Sequence, residues 1–241
     1  TKGGGHGDYR VLVLAPSTIQ EAVDLTMLSF HLADKYRNPV SLIGDGMIGQ
    51  MMEPVEFPEK YEEPELPPKD WAATGCKDRM PYIIKSLFLD PVALEKNSHL
   101  LQEKYERMKE EEVRFELYNV SSKIKILLIA YGTMARICQT VIDELKDDGV
   151  QVGLFRPISL FPFPEKQILK EVSRKNVEAV LTIEMSMGQM LEDVERAIFG
   201  AKPVHFYGRT GGVVPSPDEV KKQIHKLLST DQGSRPRKRK A

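Results

Sequence analysis

The most unusual stretch of the chain, in terms of chemistry, is its beginning, where glycines alternate with side chains that can bind a ligand or exchange a proton. Lys2 offers a cation, His6 a titratable imidazole and Asp8 a carboxylate. The glycines between them, Gly5 included, allow backbone amides to approach a ligand closely. The spacing matches neither a P-loop nor a GxGxxG fingerprint. The stretch is therefore a candidate ligand loop, with a solvated flexible loop as the alternative.

A second set of candidates follows the predicted strands of the carboxyl-terminal half, where parallel sheets bind their ligands. Thr133 opens a predicted helix whose free amides can hold an anion, and a simple turn with an N-cap is the alternative. Arg156 and Arg209 suit a carboxylate or phosphate, or a structural ion pair. Glu184 suits an acid or base. Because the sequence gives Glu184 no visible partner, it favours a capping or interface role.

Composition excludes several functional classes. With 34 basic and 35 acidic residues, the net charge of −1 indicates neither a nucleic-acid nor a membrane partner. No apolar run reaches the roughly 18 residues that cross a bilayer. Cys76 and Cys138 are too few for an iron–sulfur motif and indicate a reducing cytoplasm, and no His/Cys spacing predicts a metal site. The absent initiator Met and the early glycine run predict that the chain starts inside a larger protein.

The first part of the chain predicts one strand–helix–strand unit. Residues 10–15 form a buried strand, a capping box of Ser17 and Gln20 opens a helix that runs to Tyr36, and residues 40–43 form the next strand. Two strands cannot bury both faces of a parallel sheet, so either the remaining strands of this sheet have been removed, which we favour, or the unit docks on another surface.

The rest of the chain predicts a connector and then a complete domain. Residues 58–122 are rich in Pro and Glu and carry one long helix with a narrow apolar stripe, which is expected to lie across a neighbouring domain or subunit. Strict strand–helix alternation over residues 123–230 predicts a parallel sheet with right-handed crossovers. Within it, Gly149 is expected just past the end of one helix, Pro164 in the first turn of the next, and Ser216 with Glu219 in a capping box. Residues 231–241 form a basic tail that predicts a disordered end. Residues 1–57 are the partial first domain.

Several stretches occur in the order found in one known family. The chain resembles the alpha-type subunits of 2-oxoacid:ferredoxin oxidoreductases over essentially all of its length except the basic tail. The residues that carry the resemblance, besides the first ten, include Gln20-Glu21-Ala22, Gly44-Asp45-Gly46, Met52-Glu53-Pro54, Trp71-Ala72-Ala73-Thr74-Gly75, Ala130-Tyr131-Gly132-Thr133, Phe155-Arg156-Pro157 and His205-Phe206-Tyr207-Gly208-Arg209-Thr210-Gly211-Gly212.

The resemblance implies a fold and an activity. The fold is α/β, with part of a parallel-sheet pyrimidine-binding (thiamine-type) domain and a complete transketolase C-terminal-like parallel domain. The activity is oxidative decarboxylation of a 2-oxoacid with coenzyme A, with electrons passed to ferredoxin. The branched-chain member, which acts on 3-methyl-2-oxobutanoate, looks most similar, and the 2-oxoglutarate member is the alternative.

The same resemblance implies a division of labour between subunits. Thiamine diphosphate is shared with a beta-type subunit, while Mg and iron–sulfur clusters lie on partner subunits, among them gamma and ferredoxin-like chains. The family's activating glutamate lies upstream of residue 1, so the chain is expected to be inactive alone. Lys2, Gly5, His6, Asp8 and Asp45 are expected near the substrate or cofactor.

Two other classes remain open on the sequence alone. One is a non-catalytic assembly module. The other is a transketolase-like or deoxyxylulose-phosphate-synthase-like enzyme, which would carry a diphosphate-binding Gly-Asp-Gly with a downstream Asn on the same chain. Gly44-Asp45-Gly46 is followed by no Asn before Asn97, which argues against that reading.

Overall fold

A computed structural model of the chain describes Gly3, residues 5–59 and residues 65–230. Lys2 and the predicted basic tail lie outside the described residues. The elements in chain order are β1 (Leu12–Leu14), α1 (Ile19–Tyr36), β2 (Val40–Leu42), α2 (Pro91–Glu111), β3 (Phe115–Tyr118), β4 (Ile126–Ile129), α3 (Gly132–Asp147), β5 (Val152–Pro157), β6 (Ser159–Phe161), α4 (Glu165–Val172), β7 (Ala179–Glu184), α5 (Gln189–Ile198), β8 (Val204–Gly208) and α6 (Pro217–Thr230).

The first sheet has three strands in the order β2-β1-β6. β1 pairs in parallel with β2 and antiparallel with β6, where Val13 faces Phe161. The predicted parallel pairing of the first two strands is confirmed, but the sheet is mixed, and its third strand comes from the second half of the chain rather than from residues 1–57. The reason is local: only Ile158 separates β5 from β6, so this short antiparallel return left no separate signal in the strand–helix pattern.

Helix α1 begins one residue later than its predicted capping box. Thr18, not Ser17, is the N-cap, and its hydroxyl accepts a hydrogen bond from the Glu21 amide at 3.1 Å. The Glu21 carboxylate in turn accepts a hydrogen bond from the Ser17 amide at 2.7 Å. A reciprocal capping arrangement is therefore present, but Thr18 and Glu21 form it in place of Ser17 and Gln20. At the other end Arg37 closes the helix in the left-handed region, at φ 45°.

The second sheet has five strands in the order β3-β5-β4-β7-β8. Strands β5, β4, β7 and β8 are parallel, as predicted, but β3 pairs antiparallel with β5. The sheet is therefore mixed, and its edge strand comes from the region predicted as connector. Helices cover both faces: α3 and α6 pack on one side, while α4 and α5 pack on the other.

Helix α2 lies across the first sheet. Tyr105 and Met108 are buried against Leu12, Leu14 and Tyr36. The narrow apolar stripe seen in the sequence thus covers a neighbouring sheet, as expected. None of the helices in the described part of the chain is long and apolar enough to cross a membrane.

The helix ends of the second domain lie at or next to the positions that the sequence predicts. Gly149 has φ +78° just beyond α3, and the Val150 amide donates to the Leu145 carbonyl at 2.8 Å. Ser216 and Glu219 form the predicted capping box at α6. Pro164 stands one position earlier than predicted, as the N-cap of α4.

Candidate functional site

The carboxyl edges of the two sheets meet at Asp45, in the loop after β2. One oxygen of its carboxylate accepts a hydrogen bond from the Thr133 amide at 2.9 Å, and the other accepts from the Thr133 hydroxyl at 2.8 Å. Gly132 has φ +59°, and a Cβ there would stand 3.0 Å from the Asp45 carboxylate. Glycine is thus required for this close approach. The amide that the sequence offers to an anion at the start of α3 is occupied by a carboxylate of the chain itself.

Arg156 joins β5 to α1 through a bidentate ion pair. Its two terminal nitrogens donate to the two carboxylate oxygens of Glu21 at 2.8 and 2.9 Å, and its Nε donates to Glu116 at 2.7 Å. Its side chain is only 6% exposed. Burial alone would lower the pKa of Arg156, but Glu21 and Glu116 raise it. Burial would raise the pKa of the Glu21 carboxyl, but Arg156 and the hydrogen bonds from Ser17 outweigh this effect and lower the pKa below its usual value. Both groups are therefore charged at neutral pH.

A third link joins the same two edges. Arg136, on the second turn of α3, forms an ion pair with Glu53 at 2.8 Å. The other oxygen of Glu53 accepts a hydrogen bond from the Ile19 amide at 3.0 Å, at the start of α1. We call the three links Asp45–Thr133, Glu21–Arg156 and Glu53–Arg136 the interdomain seam.

Glu21, Glu53 and Arg136 were not singled out from the sequence. Glu21 and Arg156 are 135 residues apart, and each residue type is ordinary in its own helix or strand. No local spacing therefore links these partners. The only available signal was that Glu21 and Glu53 fall within two of the stretches that resemble the family, Gln20-Glu21-Ala22 and Met52-Glu53-Pro54.

Glu184, at the end of β7, caps a helix. Its buried carboxylate accepts hydrogen bonds from the Met190 and Leu191 amides at 3.0 and 3.2 Å, in the first turn of α5, and from the Ser186 hydroxyl. This geometry corresponds to the capping role that the sequence favoured.

Tyr131 lies near the carboxylates of both Glu184 and Asp45. Burial, followed by the charges of Glu184 and Asp45, raises the pKa of the Tyr131 phenol. The phenol is therefore protonated at neutral pH and is a hydrogen-bond donor at the carboxyl edge of the second sheet. The sequence placed Tyr131 in a candidate loop but did not single it out as a site residue.

Arg209 forms an ion pair with Glu219 in the first turn of α6. Its side chain is about one-third exposed, with 37% of its surface open. The hydrogen bond with the Tyr207 side chain, followed by the charge of Glu219, raises the pKa of Arg209. The structure thus gives Arg209 a carboxylate partner within its own domain.

The glycine loop lies elsewhere. Gly5, His6 and Asp8 are exposed. Gly5 lines a cavity of about 570 Å³ together with side chains of α2 and α4, among them Lys109 and Lys166. None of the seam residues lines this cavity. The structure therefore does not bring the loop together with the other candidates, and within the described residues no group of three or more His, Cys, Asp or Glu is placed to hold a metal ion.

Two protein-family models match the chain. Residues 6–116 match the thiamine diphosphate-binding domain of pyruvate flavodoxin/ferredoxin oxidoreductases, and residues 125–220 match the core domain II of pyruvate:ferredoxin oxidoreductase. The chain therefore belongs to the 2-oxoacid:ferredoxin oxidoreductase family. This membership decides against the transketolase-like reading of the sequence.

Curated relatives are oxidoreductase subunits. The chain is 43% identical over 226 residues to the ketoisovalerate oxidoreductase subunit VorB of Methanothermobacter marburgensis, and the match covers 94% of this chain and 63% of that protein. It is 30% identical over 253 residues to the 2-oxoglutarate synthase subunit KorA of Methanothermobacter thermautotrophicus, covering 93% and 65%. The chain thus spans less than two-thirds of the length of these relatives.

A solved structure has the same fold. The 2-oxoglutarate:ferredoxin oxidoreductase from Magnetococcus marinus, with 2-oxoglutarate, coenzyme A and succinyl-CoA bound, superposes with a TM-score of 0.76. The match covers 93% of this chain and 43% of that one at 19% identity. At this identity the likeness establishes the α/β fold.

The three seam carboxylates, together with Glu184, can be tested against the needs of thiamine diphosphate. Glu21, Asp45, Glu53 and Glu184 each accept hydrogen bonds from amides, hydroxyls or guanidinium groups of the chain. None of these four carboxylates is left to activate an aminopyrimidine. Although residues 6–116 match a thiamine diphosphate-binding domain, the described residues at the seam do not form a complete cofactor site.

Proposed function

We propose that the chain forms part of a 2-oxoacid:ferredoxin oxidoreductase that oxidatively decarboxylates a branched-chain 2-oxoacid, 3-methyl-2-oxobutanoate, to its acyl-coenzyme A and passes the electrons to ferredoxin. One contrast carries the proposal. Over nearly the same share of the chain, identity is 43% to a ketoisovalerate oxidoreductase subunit and 30% to a 2-oxoglutarate synthase subunit.

Three arginines near the carboxyl edges of the two sheets support the same substrate class. 2-Oxoglutarate has a second carboxylate, which a protein site meets with a cation, most often a guanidinium. The guanidinium groups of Arg136, Arg156 and Arg209 are already paired with Glu53, Glu21 and Glu219. These three arginines are therefore not available to a second carboxylate, which favours a substrate whose far end is apolar.

In this proposal thiamine diphosphate supplies the stabilised carbanion chemistry and is held jointly with a beta-type subunit. Mg and the iron–sulfur clusters belong to that subunit and to gamma and ferredoxin-like partners. The seam of this chain fixes the angle between its two sheets. Tyr131 then presents a protonated hydroxyl at the shared edge, where it can donate a hydrogen bond to an oxygen of bound ligand.

The roles of the remaining candidates belong to the same proposal. Asp45, Thr133 and Arg156 position the two sheets, while Glu184 and Arg209 hold the loops after β7 and β8. The glycine loop, with Lys2, Gly5, His6 and Asp8, contributes to a substrate-side surface that a partner subunit completes. The unpaired thiols of Cys76 and Cys138 are consistent with a reducing, cytoplasmic compartment.

The test is an assay of the assembled complex. The chain is co-produced with the subunits encoded beside it, and the complex is supplied with coenzyme A, a viologen acceptor and one of three acids. We expect kcat/KM for 3-methyl-2-oxobutanoate to exceed that for 2-oxoglutarate and pyruvate by about tenfold or more, because one well-placed apolar contact or unpaired charge has at least that effect. The chain alone should show no turnover.

Two outcomes would contradict the proposal. A preference for 2-oxoglutarate would establish the alternative family member. Full turnover by the partner subunits without this chain would establish the other alternative, an assembly module without a catalytic contribution.

A further inference from the structure

An apolar groove lies between α1 and the edge strand of the first sheet. That strand is β2, which pairs with β1 on one side and with no other strand of the described residues. The groove has a volume of about 290 Å³. One face of α1 and one side of β2 line it, with Thr26, Ser29, Phe30, Ala33, Val40 and Leu42. We call this feature the edge groove.

The edge groove resembles a layer of sheet and helix from which one strand is missing. None of its six lining residues carries a charge, and its largest side chain, Phe30, is 74% exposed. An open strand edge also presents backbone N–H and C=O groups that can pair with a further strand. A segment that fills the groove must therefore be extended and apolar, and it must bring unpaired backbone groups.

The segment just before α2 has these properties. Residues 81–89, which we call the arm, contain no helix, strand, turn or bend, so the backbone runs without a sharp change of direction. Its Ile83, Leu87 and Leu89 side chains are 80%, 69% and 87% exposed. Side chains two residues apart lie on the same side of an extended segment. Leu87 and Leu89 therefore have the same spacing as Val40 and Leu42 in β2.

The backbone of the arm is unpaired as well. Within the part of the chain that the structure describes, no hydrogen bond involves a backbone group of residues 81–89. The ring contacts of the arm are local: the Lys85 ammonium lies 5.3 Å from the centre of the Phe88 ring. Burial of unpaired backbone groups is costly, so an arm that packs on an apolar surface needs a strand edge to pair with.

We propose that the arm of one copy of this chain adds a strand to the open edge of β2 in a second copy, with Leu87 and Leu89 entering the edge groove. The exchange is reciprocal and gives a two-fold symmetric dimer. No residue of the arm lines the edge groove of its own chain, so the arm and the groove are both open to a second copy.

Charge and area favour a second copy as the occupant. The arm carries a single charge, on Lys85, and the groove carries none, so two copies do not repel each other at this contact. A charged partner would find nothing to pair with in the groove. Each arm is nine residues long and about 30 Å when extended. Two arms in two grooves bury on the order of 1,200–2,000 Å² in total, which is the size of a stable specific interface.

The first test measures the mass of the purified chain in solution by sedimentation equilibrium. We expect a monomer–dimer equilibrium whose Kd rises about tenfold or more in Leu87→Glu and in Phe30→Glu, because each change places an unpaired charge in an apolar contact. The matched control is Phe199→Glu, which removes an exposed aromatic side chain outside the arm and the groove and should leave the Kd unchanged. All three side chains are at least 69% exposed, so none of these changes should lower the melting temperature of the dilute monomer.

The second test locates the contact by cross-linking. Cys76 is exposed, so both chains carry Cys76→Ser. One chain then carries Ser41→Cys beside the groove, and the other carries Lys85→Cys in the arm. A short bismaleimide added to the mixture should join the two chains into a covalent dimer. Replacing Lys85→Cys by Phe199→Cys should abolish this product.

Three outcomes would overturn the proposal. One is a chain that stays monomeric at every concentration, or a dimer whose Kd neither glutamate raises. Another is a cross-link within one chain when Ser41→Cys and Lys85→Cys are combined, because the arm would then cover its own groove. The third is that Leu87→Glu weakens only the binding of a beta-type subunit, which would make that subunit the occupant. The dimer contact does not depend on which 2-oxoacid the assembled enzyme prefers, so these tests are independent of the substrate assay.

Discussion

The two sheets of the molecule differ in how much of their support lies close to them in the chain. The second sheet has five strands, a fully buried central strand and helices on both faces, all from residues after 114. The first sheet has three strands, and Leu42 on its edge strand β2 is 36% exposed. It depends on β6 from the other half of the chain and on α2 for cover. The second sheet is therefore formed and covered by elements that are close together in the chain, whereas the first sheet needs a strand and a covering helix that lie far along the chain from β1 and β2.

The largest effect is expected from equivalent cavities in the two cores. Leu14→Ala in β1 and Leu128→Ala in β4 each remove a side chain that is at most 1% exposed, and each should lower the free energy of unfolding by about 3 kcal/mol. Amide exchange should distinguish them. Leu14→Ala should speed exchange only in the first sheet and in the helices α1 and α2 that pack on it, whereas Leu128→Ala should speed it in both sheets. Uniform loss of protection in both variants would mean that the sheets unfold as one unit.

A slightly smaller effect is expected from the buried ion pair of the seam. Arg156→Ala leaves Glu21 without its bidentate partner in a largely buried position and should lower the free energy of unfolding by about 3 kcal/mol or somewhat less. The matched control is Arg196→Ala, which breaks an exposed ion pair: the Arg196 side chain is 59% exposed and that of its partner Glu165 is 45% exposed. Loss of this pair should lower the free energy of unfolding by less than about 1 kcal/mol. Urea unfolding measures both, and equal losses would contradict a structural role for the seam.

The smallest effect is expected from helix capping across the seam. Asp45→Ala removes the cap of α3 and should cost about 1 kcal/mol, as should Ser216→Ala at α6. Only the first joins the two sheets. Asp45→Ala should therefore increase amide exchange both at the start of α3 and in the loop after β2, while Ser216→Ala affects α6 alone. If Asp45→Ala changes only one of its two sides, the cap does not couple them.

Local patterns in the sequence predicted much of the fold. The capping box at Ser216, the glycine after α3 and the buried parallel strands depend on neighbouring residues, and the structure has them where they were expected. The short antiparallel strands β3 and β6 were missed because four or three residues next to a longer element leave no periodic signal.

The seam was predictable only in part. Asp45 and Thr133 were each singled out, but not as partners, because their contact depends on how two domains meet. Glu53 and Arg136 were not singled out at all, since a charged residue in a loop or on a helix is usually solvated. Pairing across long sequence separations is a property of the packed molecule, and a single sequence does not encode it in any local spacing.

The position of β6 in the first sheet also sets an order of events during synthesis. Residues 12–14 leave the ribosome long before residues 159–161, so β1 must wait with one edge unpaired until most of the chain has been made. Over that interval the nascent first domain exposes a fully apolar strand edge, which is the kind of surface that chaperones bind. A ribosome-bound chain that ends before residue 159 should therefore be far more sensitive to protease in residues 10–43 than one that ends after residue 200.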